Sequence, residues 1–132
     1  MDGWTEDYLD YIKAAALAYP SEPHIDIERR VDFSAYAQEG AGIADCILVS
    51  GRQIHVIDLK SGTKPVSAVK NPQLMLYALG AYEIYKMFYP IDQVRLSIVQ
   101  PTLPDGASDW VCTLDELLRF GEYVKERAAL AW

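Results

Sequence analysis

The chain has 132 residues, 51% of them hydrophobic, enough for one cored domain and too few for two of ordinary size. Its net charge of −7 disfavours nonspecific attraction to nucleic acid, because lysine and arginine contacts to phosphate supply most of that affinity. Charged or proline residues break every apolar run well short of a membrane span, Met1 precedes acids instead of a basic leader, and two cysteines are too few for an iron–sulfur cluster.

Thr5 suits the cap of a first helix, with Glu6 and Asp7 facing the positive end of its dipole and Leu9, Ile12 and Ala16 at helical spacing. Pro20 ends it. Over 25–33 the apolar Ile25, Ile27, Val31 and Phe33 alternate with Asp26, Glu28, Arg30 and Asp32, the period of a half-buried strand. Gly40 and Gly42 break that run. Segments 44–49 and 53–59 are two further strand-like runs separated by Ser50, Gly51 and Arg52, a hairpin signal. Cys46, inside the first of them, is expected to act as a small hydrophobe, as a thiol does in a reducing cytoplasm. After a loop with Gly62 and Pro65, Asn71 and Pro72 suit the N-cap and first position of a helix reaching about Tyr89, apolar on nearly every face and so expected to be buried. Pro90 stops it. Val94, Leu96 and Ile98 predict a fourth strand, Pro101, Pro104, Asp105 and Gly106 a loop, and 110–113 a fifth strand. Segment 115–131 reads as a closing amphipathic helix that buries Leu117, Leu118, Val124 and Ala128. The expected fold is α/β, a mixed central sheet flanked by helices in the order α-β-β-β-α-β-β-α, forming a single domain over 1–132.

The chemistry-bearing triplet is Asp58-Leu59-Lys60 at the end of one hairpin strand, with Asp45 on the other. Residues two apart on a strand share a face, so Asp58 and Lys60 point one way while Leu59 turns to the opposite layer. With a Gly51-Arg52 loop Asp45 stands directly opposite Asp58; with Ser50-Gly51 it stands diagonal; a three-residue loop would separate them. Two carboxylates at such spacing suit a hard divalent cation, Mg²⁺ or Mn²⁺, that keeps several waters. The Leu59 carbonyl is the nearest further oxygen ligand. Such a cation activates water toward a phosphodiester, with Lys60 positioning that water or helping to deprotonate it. From Gly51 to Lys70 the basic residues Arg52, Lys60, Lys64 and Lys70 outnumber the lone Asp58, a local charge opposite to that of the whole chain.

Gly42-Ile43-Ala44-Asp45, then Asp58-Leu59-Lys60 with Ser61-Gly62, then Gln73-Leu74-Met75-Leu76-Tyr77 resemble, in that order, the GxxD, (D/E)xK and QxxxY motifs of RecB-like PD-(D/E)XK nucleases. The wording around them, Glu28-Arg29-Arg30-Val31-Asp32-Phe33-Ser34 and Asn71-Pro72-Gln73, resembles a phage and prophage branch of that superfamily. The likeness runs from about Ile27 to Gln100. It implies a restriction-endonuclease-like core, Asp45 and Asp58 as metal ligands, Lys60 as the catalytic lysine, and Gln73 and Tyr77 holding DNA beside the site. Gln73 and Tyr77, four apart on a helix, share a face independently of the likeness. Glu28 is a secondary candidate that either approaches the metal or pairs with an arginine. His55 points away from Asp58, as a packing or surface histidine would and a ligand would not. RecB-like nucleases usually carry a helical segment before the first strand with a further ligand, whereas only Glu6, Asp7 and Asp10 are available here; a missing segment would leave the metal site incomplete.

The leading expectation is a Mg²⁺- or Mn²⁺-dependent deoxyribonuclease of phage type, with DNA and a phage recombination or replication protein as partners and room for a homo-oligomer. A second is a module of the same fold that grips DNA or a protein without cutting. A third is an interaction domain that associates through Trp4, Trp110 and Trp132.

Overall fold

A computed structural model describes residues 6–104 and 106–131. Thr5, Trp4, Trp132 and Asp105, named above, lie outside the described residues. The elements are α1 (Glu6–Leu17), β1 (His24–Asp32), β2 (Ala41–Ser50), β3 (Gln53–Leu59), α2 (Pro72–Tyr85), β4 (Gln93–Val99), β5 (Ala107–Thr113) and α3 (Leu114–Ala131). They form a mixed α/β fold around a five-stranded sheet of order β1-β2-β3-β4-β5. All neighbours are antiparallel except β3 and β4, which run parallel because α2 carries the chain back across the sheet.

The principal core lies between one sheet face and α2 with α3, where Val31, Ile47, Ile54, Val56, Leu74, Leu79, Leu96 and Leu117 are buried together. Asn71 caps α2, its side-chain oxygen accepting the Leu74 N–H at 3.2 Å, and Pro72 follows at the first helical position. The helix ends at Tyr85, sooner than composition suggests, and the apolar Met87 and Phe88 beyond it are exposed. Thr113 and Glu116 make a reciprocal cap at the start of α3, Thr113 Oγ1 accepting the Glu116 N–H at 3.1 Å.

The opposite face carries α1 and a smaller cluster of Tyr8, Ile12, Cys46, Leu48, Ile57 and Val99. The buried side of α1 is Tyr8 with Ile12, one turn apart, and Leu9 is exposed, contrary to the expected Leu9, Ile12, Ala16 stripe. The simple alternation expected of β1 also fails, since Val31 and Phe33 are buried while Ile25 and Ile27 are 43% and 40% exposed. The reason is a local twist. Glu28 has φ of 51°, a left-handed backbone, between Ile27 paired with Cys46 and Arg29 paired with Ala44. Ile25 and Ile27 therefore share the α1 side with Leu48 and Cys46, on an edge strand that α1 does not cover, whereas Val31 beyond the twist joins the principal core.

Candidate active site

The hairpin that builds the site turns on Gly51 and Arg52, with Ser50 paired to Gln53 and Cys46 to Ile57. Gly51 has φ of 57°, the conformation for which two-residue hairpins use glycine. Carried one step further, this register sets Asp45 opposite Asp58, the first of the alternatives open in the sequence. On β3, Ile54 and Val56 enter the principal core and Asp58 continues their face, while Ile57 and Leu59 join the α1 side. Asp45 stands where β2 changes its alternation: Ala44 and Ile47 both belong to the principal core, with Cys46 on the other side. The Glu28 twist lies across from it on β1.

Asp45 Oδ2 accepts the Leu59 N–H at 2.8 Å, which ties the two strand ends together. Lys60 Nζ stands 2.9 Å from Asp58 Oδ2 and donates to Gln73 Oε1 at 3.0 Å. Gln73 Nε2 donates in turn to the Tyr77 hydroxyl at 3.1 Å. A continuous path thus joins Asp45, Leu59, Asp58, Lys60, Gln73 and Tyr77 across β2, β3 and the first turns of α2. The Lys60–Asp58 contact is an ion pair without the angles of a hydrogen bond, and Asp58 Oδ2 is buried with no hydrogen-bond donor among the described residues. Burial pushes the Asp58 carboxyl up to about 6; the Lys60 ammonium pulls it back, and the Asp45 carboxylate pushes with burial.

Gly42 opens the first motif for a steric reason. A Cβ there would lie 2.6 Å from the Tyr77 ring, so the phenol packs directly over the β2 backbone, which holds the hydroxyl where Gln73 reaches it. A family model described as Protein of unknown function (DUF2800) matches residues 1–132. The chain belongs to the DUF2800 family.

Other groups in this DUF2800 chain stand around the path. Glu28 is exposed and falls opposite Asp45 in the β1–β2 register, so the structure brings its backbone beside the site. Among the described residues no three His, Cys, Asp or Glu side chains converge as a metal-holding group. The oxygen donors are the Asp45 and Asp58 carboxylates, with the Leu59 carbonyl as a third candidate although its N–H is what meets Asp45. Two carboxylates suit a cation such as Mg²⁺ that draws the rest of its shell from water and phosphate, so the residues fit the expected ion. Tyr8, absent from the sequence-based candidates, is fully buried beneath this end of the sheet. Burial raises its hydroxyl far above the usual tyrosine range, and the neighbouring Asp45, Cys46, Asp58 and Glu28 add to the rise. Its signal in the sequence is the four-residue spacing to Ile12.

His55 lies on the other sheet face, as expected, in a polar network of its own. Its Nε2 is 2.7 Å from Ser97 Oγ and its Nδ1 3.0 Å from the Tyr19 hydroxyl. The Ser97 hydroxyl donates to Asp109, which fixes the Ser97 oxygen as acceptor from His55 Nε2–H and leaves Nδ1 to accept from Tyr19. Tyr11 and Arg95 complete the shell of Asp109. Burial, helped by Arg95 and opposed by Asp109, lowers the His55 imidazole to about 3, so it is neutral at pH 7. The order His–Ser–Asp buries the serine between its partners, which makes this a packed polar layer and no nucleophilic triad.

Proposed function

We infer that this chain is a RecB-like PD-(D/E)XK phosphodiesterase that hydrolyses DNA with Mg²⁺ or Mn²⁺. The observation that carries the reading is the opposition of Asp45 and Asp58 on adjacent strands with Lys60 beside them, tied through Gln73 to Tyr77. Asp45, Asp58 and the Leu59 carbonyl would hold the cation. When bound, such an ion supplies Lewis acidity, neutralising charge on the phosphoryl group and lowering the pKa of a bound water. Lys60, held from two sides, orients the water oxygen toward phosphorus. The new O–P bond forms as the bond to the leaving sugar oxygen breaks, and the proton released by the water is returned to that oxygen through solvent. Gln73 fixes the Lys60 ammonium, and Tyr77 fixes Gln73. A phage recombination or replication protein as partner, and cytoplasmic action, belong to the same proposal.

Isothermal titration of Mn²⁺, with cleavage of linear DNA scored in parallel, tests the reading. The wild-type chain is expected to bind and cut. Asp58→Ala should lose both, and Lys60→Gln should keep binding while cutting falls by about 10²–10⁴-fold, the usual worth of a positioned acid–base group. Binding without cutting by the wild type would favour a DNA-gripping module; no Mn²⁺ binding at all would sink the metal site.

A further inference from the structure

A cavity of about 410 Å³ lies on the β4 and β5 side of Asp58, within the range of about 300–1,000 Å³ usual for small-molecule sites. Its floor is Ile98, which pairs with Asp58 across β3 and β4 and shares its face. The cavity therefore begins one strand spacing, about 4.8 Å, from the Asp58 backbone. One wall is the segment that follows Lys60, and Gln100 pins that segment. Gln100 is buried; its Oε1 accepts the Val66 N–H at 2.8 Å, and its Nε2 donates to the carbonyls of Lys64 and Gly62 at 2.9 and 3.3 Å. Thr102 Oγ1 holds Gly62 as well, at 2.8 Å, and Ser108 Oγ accepts the Ala68 N–H at 2.9 Å. With its wall tied by five hydrogen bonds at four residues, the cavity is formed before any ligand arrives.

The lining decides what fits. Among the described residues no lining side chain is charged, so a desolvated phosphate finds no cationic partner there. Pro65, Ile98, Leu103 and Pro104 offer apolar surface, and Ser67 and Ser108 offer hydroxyls. Each hydroxyl accepts one backbone N–H, from Val69 and Ala68 respectively, and donates to nothing among the described residues. A neutral flat ring with apolar faces and acceptor atoms on its edge matches that set. We propose that this cavity is a nucleobase subsite, taking the base of the nucleotide whose phosphate lies at Asp45, Asp58 and Lys60. It rests on the phosphodiesterase reading for the position of that phosphate, and adds that the enzyme grips a splayed base beside the cut.

The test is amide chemical-shift mapping of the ¹⁵N-labelled chain with deoxyadenosine 5′-monophosphate and with deoxyribose 5-phosphate, which lacks the base. Shifts of Val66, Ser67, Gly106 and Ser108 amides with the nucleotide alone support the subsite. Ser67→Ala should then weaken nucleotide binding about three- to tenfold, the worth of one hydrogen bond, and leave the sugar phosphate unaffected. Equal shifts with both probes, or no shift at these amides in a chain that cuts DNA, overturn it. Nucleotide-specific shifts in a chain that binds Mn²⁺ and does not cut would uphold the subsite while the cleavage reading fell.

Discussion

Gly42 and Tyr77 make the most restrictive contact at the site, and the consequence is measurable at one atom. Gly42→Ala puts a methyl 2.6 Å from the Tyr77 ring, so the ring must shift away from Gln73. Overpacking of this kind costs about 1–3 kcal/mol, read by urea denaturation, and cleavage should fall because the Gln73–Lys60 link loosens. Unchanged stability would show that the phenol moves freely and does not hold the chain of bonds. The two motif residues are visible in the sequence, but their mutual contact is not, since it depends on the angle at which α2 crosses β2. His55 gives a second test. Its folded value of about 3 lies below the usual 6.5, so the unfolded chain binds the proton first. Its contribution is intact above about pH 6.5 and is lost as pH falls toward 3, by at most roughly 1.4 kcal/mol per pH unit. Asp58 acts oppositely: with a folded value of about 6, its contribution is full below its ordinary value of 3.8 and lost as pH rises through 6. Comparing urea stability of the wild type and His55→Gln from pH 4 to 7 removes the Asp58 term, and the wild type should lose more on acidification. Parallel profiles would mean that His55 takes up its proton at the same pH folded and unfolded, without the lowering that burial implies.

Two elements set the site, and they differ in how openly the sequence declares them. α2 is declared by Asn71-Pro72, because a cap and a first-position proline are local chemistry. Asn71→Ala removes the acceptor for the Leu74 N–H and should cost about 1 kcal/mol, seen as a lower urea midpoint. Cleavage should drop as well, since Gln73 and Tyr77 ride on the first two turns; full activity would detach the helix start from the site. The length of that helix was less legible, because Met87 and Phe88 continue its apolar composition without a packing partner to keep them helical. β1 was legible as a strand and misleading in its faces. The alternation of Ile25, Ile27, Val31 and Phe33 is regular on paper, yet the left-handed Glu28 turns the strand over midway. Nothing in a residue-by-residue period marks that inversion, since glutamate carries no preference for positive φ. The same local irregularity puts Asp45 at the change of faces on β2, where it meets both Leu59 and the acidic partner on β3.

Charge is the property of the whole molecule that bears most directly on DNA binding. The count of basic residues from Gly51 to Lys70 suggests one patch, but the fold divides it. Arg52 sits at the turn of the hairpin, paired with Asp92 at 2.6 Å, while Lys60 leaves the far end of β3. Seven strand residues separate them, roughly 20 Å at the rise of a β-strand. Order of elements was readable from their periods, whereas this separation depends on which way the strand runs. Lys70 lines a cavity with Trp110, Glu116 and Arg119, away from the acidic pair. The basic residues at the site end are Lys60 with Arg29 and Arg30 of β1, the neighbours of Glu28, against a net charge of −7. If those three carry the phosphate contacts, log affinity should fall against log salt with a slope of about −2 to −3, at nearly one per contact. Fluorescence anisotropy of a labelled duplex in metal-free buffer, over 50–200 mM salt, measures it. A slope steeper than about −6 would demand phosphate contacts well beyond those three, from basic residues elsewhere on the surface. The expected shallow slope has a mechanistic corollary. With so little phosphate attraction of its own, the chain must draw productive affinity from the cation between Asp45 and Asp58, so Mn²⁺ should tighten DNA binding by the wild type and leave Asp58→Ala unchanged.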